Sequence, residues 1–342
     1  FRYLRMKKLS LAPGGQTSSL GRRQVLASGL TAAAAVALPS VGRTAPGSPV
    51  RIVVSYPPGG GTDLMARLFA PYLATALGQP VTVENMPGDS GQKAAAYVAK
   101  AAADGNTLLL DSSTFAINPA LFAKLPYDTD AAFSVIGVLA VLPNVLVCHP
   151  KFEANKVADL IRMAKAKPGQ IAYASSGNGS AQHLAGALFE DVAQVSLKHV
   201  PYAGGNAALA DVVAGKVPML FAHVASSKEY LQSNKLRALA ITLRKRSKLL
   251  PQVESMEEAG VRNYEVQDWN PLVAPAGIAK DRRKQLVDAV VKVLKQPEFV
   301  TKVHALGGEV FPNEPDGLAG GFIKTQQVLW RRVITARKIQ VG

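Results

Sequence analysis

The segment that most constrains this chain is residues 50–56, a mostly β-branched run that breaks into Pro57-Pro58-Gly59-Gly60-Gly61. Thr62 or Asp63 is placed to cap a helix behind it, and Leu64, Leu68 and Leu73 mark an apolar face that stops at Gly78. A second junction has the same form: a strand over 171–174, a polar glycine loop over 175–180, and a helix over 181–192. Such a junction exposes unpaired backbone N–H groups and the positive end of a helix dipole. In an open α/β sheet it lies at the carboxyl ends of strands, where ligands bind. Two of them facing one cleft would clamp a carboxylate; either alone is equally readable as a tight turn.

The remaining pattern continues the alternation. A strand is predicted over 81–83, a turn at Pro87-Gly88, a helix over 94–103 and a buried apolar run over 108–110. Asn155 is predicted to cap a helix that reaches Lys167 and stops at Pro168-Gly169. Strands over 217–221 and 236–241 follow, then helices near 281–295, 297–305 and 316–337. Strands alternating with helices of this length predict an α/β fold with mainly parallel sheets.

At 342 residues the chain has room for two domains, and 48% hydrophobic against 18% charged residues excludes wholesale disorder. A lone cysteine, Cys148, excludes an intrachain disulfide and any cysteine-cluster metal site. It stands in the apolar run Val145-Leu146-Val147 and is expected to be a buried small hydrophobe. The net charge of +15 suggests nucleic acid, but its distribution argues otherwise. Residues 1–45 carry seven basic residues and no acid, which leaves 32 basic against 24 acidic residues on the rest. Aromatics are 6%, too few to interleave a basic face with stacking platforms. No nucleic-acid partner is expected.

Those first 45 residues are set aside from the fold. Arg22-Arg23 followed by the apolar run 26–38 is similar to a twin-arginine export signal, with the general secretory route as the alternative. The run is too short for a membrane span, which needs about 20 residues. Cleavage is expected between Leu38 and Pro46, and the mature protein is expected in the periplasm.

Enzyme motifs fail on inspection. Gly88-Asp89-Ser90-Gly91 copies a serine-protease loop, but the first histidine is His149, and a triad of that order needs one earlier. Gly177-Asn178-Gly179 follows a strand, yet Gln182 takes the third glycine position of a dinucleotide fingerprint. Residues 57–63 lack the Gly-Lys-Ser/Thr ending of a phosphate loop. The histidines show no metal-ligand spacing, so neither catalytic residue, cofactor nor metal is expected.

An ordered set of segments does carry a resemblance. It comprises Tyr56-Pro57-Pro58-Gly59-Gly60-Gly61-Thr62-Asp63, Ala116-Ile117-Asn118-Pro119-Ala120-Leu121 and Leu125-Pro126-Tyr127-Asp128. Further along come Ser175-Ser176-Gly177-Asn178-Gly179-Ser180 with His183, His199-Val200-Pro201-Tyr202 with Gly204, and Ala274-Pro275-Ala276-Gly277. From about Arg51 onward the chain resembles the Bug-type receptors of tripartite tricarboxylate transporters. The resemblance implies a type II periplasmic-binding fold: two α/β domains joined by two crossing segments. Domain 1 would be 46–146 with 272–342, and domain 2 would be 147–271. It also implies a monomer that captures a small organic carboxylate, holds it through backbone amides, and passes it to two integral membrane subunits. A ligand sensor feeding a two-component system, or an exported hydrolase, are the alternatives.

The expected ligand-binding residues are Tyr56, Gly59, Gly60, Gly61, Asp63, Thr114, Ser176, Asn178, Gly179, Ser180, His183, Tyr202 and Trp269. Asp63 is read as a helix cap or as the orienter of a bridging water, His183 as a packing residue or a ligand contact, and Trp269 as a pocket wall or hinge packing. The chain departs from the family pattern at Phe221-Ala222-His223, where the family commonly has Phe-Asp, and at Trp269-Asn270-Pro271. With no acid at Ala222, a plain di- or aromatic carboxylate is expected ahead of an amino acid.

Overall fold

The computed structural model describes residues 48–340; the segment expected to be an export signal lies outside them. The chain opens as β1 (Val50–Val54), α1 (Gly61–Leu77), β2 (Val81–Asn85), α2 (Gln92–Ala99), β3 (Thr107–Leu110) and α3 (Thr114–Leu121). The long β4 (Phe133–Cys148) leads to α4 (Val157–Ala166), β5 (Ala172–Ser175), α5 (Ala181–Ala193), β6 (Lys198–Pro201) and α6 (Gly205–Val213). Then come β7 (Met219–His223), α7 (Val224–Gln232), β8 (Arg237–Ile241) and β9 (Gln267–Pro275). The chain closes with α8 (Lys280–Leu294), α9 (Pro297–Ala305), β10 (Glu309–Val310) and α10 (Leu318–Arg337).

The strand order is β2-β1-β3-β9-β4-β7-β5-β6, with β8 and β10 also on β4. β1, β2 and β3 run parallel, as do β5, β6 and β7, while β4 and β9 run antiparallel to their neighbours. β4 serves both groups. Its residues 133–143 pair with β9, and 144–148 pair with β7 and, at 145–148, with β8. β1 and β3 are covered on both faces, which is why Ile52, Val53 and Val54, or Leu108, Leu109 and Leu110, are buried without alternation. Each such side chain contributes roughly 1.5–3 kcal/mol when fully buried. The α10 helix packs on α3 and also reaches α5, with Trp330 and Val333 on its buried side.

The predicted elements are present, with shifted ends, but the sheet is mixed rather than mainly parallel, because β4 and β9 run antiparallel between the two parallel groups. α1 has Gly60, not Thr62 or Asp63, at its N-cap. α2 starts two residues early, after a 3-10 turn at Asp89–Gly91, and ends at Ala99. Lys156 is the N-cap residue of α4; the neighbouring Asn155 instead donates its N–H to Asp159 (3.2 Å). Cys148 is fully buried as expected. Among the described residues no helix is long and apolar enough to cross a membrane, and no three His, Cys, Asp or Glu side chains gather to hold a metal.

Candidate functional site

β1 ends at Val54, and the glycine run carries the chain into α1 with Gly59 at φ +80°. A ring of polar contacts fixes this loop. Asp63 Oδ2 accepts from the Gly59 N–H (2.8 Å) and from Arg67 Nε (3.0 Å), and its Oδ1 accepts from Asn85 Nδ2 (2.8 Å). Asn85 Nδ2 also donates to the Tyr56 carbonyl (2.9 Å). Burial alone would raise the Asp63 carboxyl, but Arg67, the Gly59 amide and Asn85 outweigh it and hold it below the usual range. Asp63 is therefore neither the helix cap nor free to orient a ligand water; it pins the loop from inside the first turn. The N–H groups of Gly61, Thr62 and Asp63 find no acceptor among the described residues. They are what this loop offers an anion.

Tyr56 is tied to the neighbouring strand end. Its hydroxyl lies 2.9 Å from both Ser112 Oγ and Thr114 Oγ1, and these two are 2.9 Å from each other. Burial, then the nearby Asp111, push the Tyr56 phenol up, so it stays a neutral donor. Asp111 itself is fully buried. Ser55 Oγ (2.5 Å) and the Ser112 N–H (2.8 Å) donate to its Oδ1. Burial raises Asp111 to about 6 against those hydrogen bonds.

The second loop is built in a similar way. Ser180 is the N-cap of α5, its Oγ accepting from the His183 N–H (3.2 Å) and donating to the Gly177 carbonyl (2.7 Å). His183 Nδ1 accepts from the Gly179 N–H (3.0 Å). Ser175 Oγ pairs with His199 Nε2 (2.6 Å) and accepts from the Gly177 N–H (3.1 Å). Burial, with each other's proximity in the case of His183, depresses both imidazoles to about 4, so both are neutral near pH 7. The Gly179 amide is thus already paired. The N–H groups of Ser176, Asn178, Ala181 and Gln182 are the ones without an acceptor among the described residues. Gly179, at φ +72°, has no room for a Cβ, because Leu121 at the end of α3 fills that space. A third helix start lies beside this loop: Gly205 of α6 stands against Gln182 and Ser176. The Gly204-Gly205 pair signalled this junction, but the sequence reading left it out of the site.

Two other expected residues have different roles. The Tyr202 hydroxyl donates to Asp211 Oδ2 (3.0 Å), so its polar end is occupied. Trp269 does not wall the cleft. It is fully buried, its ring edge-on to Phe322 of α10 at 5.3 Å, because the alternation of β9 sends Asp268 and Asn270 to the other face. Ala222 is likewise buried in an apolar cluster with Val145, Leu220 and Val224. Its lack of an acid therefore says nothing about the ligand. At that strand end Asp268 Oδ2 lies 3.9 Å from His223 Nε2; the sequence pattern gave no sign of this pairing.

Comparison with known proteins places this geometry. Residues 65–339 match the family model described as "Tripartite tricarboxylate transporter family receptor". Protein BugT of Bordetella pertussis is 33% identical, over 89% of this chain and 93% of its own length. Among solved structures, R. palustris Rpa4515 with adipate is 31% identical and superposes at TM-score 0.75, covering 85% of this chain and 97% of that one. MatC of Rhodopseudomonas palustris with bound malate is 30% identical at TM-score 0.70, covering 83% and 98%. The architecture is thus the two-domain α/β fold of periplasmic solute-binding proteins, which are receptors and not enzymes. With the match spanning most of the chain, this protein belongs to the tripartite tricarboxylate transporter receptors, as a solute-binding protein of the Bug family.

Proposed function

We propose that the protein captures a small organic carboxylate between two lobes, 46–146 with 272–342 and 147–271, and delivers it to the integral membrane subunits of its transporter. The observation that carries this reading is the pair of strand–glycine–helix junctions. Unpaired N–H groups at Gly61, Thr62 and Asp63, and at Ser176, Asn178, Ala181 and Gln182, are preorganised donors for a carboxylate. Neither loop contains a basic side chain, so the amides and helix dipoles supply the positive potential. Ser176 and Asn178 add side-chain donors at the rim, while Asp63, His183 and Ser180 position the loops. The carboxylate-bound relatives support the ligand class. A monomer working in the periplasm, exported through the twin-arginine-like segment, completes the proposal.

A thermal-shift series across mono-, di-, tricarboxylic and aromatic acids tests it, since a cleft ligand stabilises by mass action. Stabilisation that saturates with one acid supports capture. A flat response to all of them refutes it. Deleting the gene should lower uptake of that acid; loss of induction with uptake intact would instead identify a sensor.

A further inference from the structure

Where β4 passes from one group of strands to the other, it meets a polar face. β7 ends with His223 opposite Asn144, and β9 begins with Gln267 opposite Pro143 and Asp268 opposite Leu142. Directly opposed residues of an antiparallel pair share a face, and so do residues two apart on a strand. His223, Asn144 and Asp268 therefore stand on one face, and Asn270 continues it. Asp268 Oδ1 accepts from the Ser113 N–H (3.1 Å) just beyond β3. Asn270 Nδ2 donates to the Asp111 carbonyl (3.2 Å) and lies 3.5 Å from Thr62 Oγ1 in the first turn of α1. The face is thus the floor beneath the first glycine loop, at the carboxyl ends of β3 and β7.

Its chemistry is lopsided. Asn144 is fully buried, and neither its Oδ1 nor its Nδ2 has a protein partner among the described residues. The same holds for Asn270 Oδ1 and Asp111 Oδ2, and Asp268 Oδ2 lies 3.9 Å from His223 Nε2. Ser113 Oγ and His223 Nδ1 lack partners as well, and the carboxyl groups of Asp268 and Asp111 give the face its acidic character. Buried acceptors left unpaired are costly, and a second carboxylate brought to this place would meet like charge. A donor on the ligand would relieve both.

We infer that this floor is a subsite for a hydrogen-bond-donating substituent, hydroxyl or ammonium, carried by the ligand beside its carboxylate, with Asp268 as the specificity-determining residue. The inference rests on carboxylate capture in the cleft and narrows it to hydroxy or amino acids. It replaces the preference for unsubstituted acids that the sequence drew from Ala222.

Isothermal titration with matched acids tests it. The probes are succinate, malate and aspartate; propionate, lactate and alanine; 3-phenylpropionate, 3-phenyllactate and phenylalanine. In at least one series the hydroxy or amino acid should bind about tenfold or more tightly than its parent, and the two arms separate hydroxyl from ammonium. Asp268→Asn keeps an oxygen for the Ser113 N–H and should shrink that ratio to within about twofold. A parent acid that binds as tightly as its substituted forms overturns the inference and leaves carboxylate capture standing. An undiminished ratio in a folded Asp268→Asn protein removes Asp268 from the role. Silence from all nine acids counts against carboxylate capture itself, and the inference falls with it.

Discussion

The imidazole rings of His183 and His199 stack in parallel behind the second glycine loop, with centroids 3.8 Å and planes 2° apart. One ring accepts from the Gly179 amide and the other pairs with Ser175. The contact is tolerable only while both rings are neutral, and burial keeps them so by depressing them from 6.5 to about 4.

Stability should therefore fall as acidity rises through that window. Between pH 6.5 and 4 the unfolded chain protonates both histidines while the folded chain leaves them neutral, so the unfolded state binds more protons. Asp111 opposes one of the two, since its folded value near 6 exceeds the usual carboxyl value of 3.8. For these three groups the net effect is at most about one proton, and solvent screening of the half-buried His199 makes it smaller. Melting points read from pH 7.5 to 4.5 should decline, and less so in His199→Gln. A flat profile would contradict the burial of the pair.

Asp111→Asn should behave in the opposite sense. Above pH 6 the native protein holds a buried charge that the amide removes, while the amide oxygen can still accept from Ser55 and Ser112. A gain of roughly 1–3 kcal/mol is expected at pH 7.5, shrinking toward pH 4. Urea unfolding at the two pH values measures it, and destabilisation at pH 7.5 would show that the carboxylate is instead a net structural asset.

Removing the Asp63 carboxylate in Asp63→Ala strands the Gly59 amide and takes one hydrogen bond each from Arg67 and Asn85, which keep their contact with each other. A loss of about 1–3 kcal/mol is expected, together with weaker acid binding because the first loop is no longer held. Binding that survives unchanged while stability drops would separate loop order from ligand capture.

At the second loop, Gly179→Ala meets Leu121 and a positive φ together. It should lower the melting point and the affinity for acids. Adding Leu121→Ala relieves the clash but not the backbone strain, so the double variant should lose less than the sum of the single losses. Strict additivity would show that the Gly179–Leu121 contact carries no energy.

Trp269→Ala should cost about 3–5 kcal/mol, the usual range for emptying a buried aromatic site, because the indole fills space beneath Phe322. Acid affinity of the remaining folded protein should change little. A large affinity loss in a stable Trp269→Ala protein would restore Trp269 to the pocket.

Local chemistry was enough to determine the α/β class, the two glycine junctions and the buried state of Cys148. β-branched runs, glycines and helix periodicity act over a few residues, so they are visible in the chain without a fold. The same patterns placed helix ends only to within a few residues, as with α2, because capping at Gly60 or Gly91 depends on backbone geometry rather than side-chain type. What each site residue does was decided by tertiary structure. Asp63 is consumed by Arg67 and Asn85, the latter twenty-two positions away. Whether Trp269 or its neighbours Asp268 and Asn270 face the cleft depends on the register of β9 against β4. That register also brings His223 to Asp268, forty-five positions away. No periodicity records such pairings, because they exist only once the strands that carry them lie side by side.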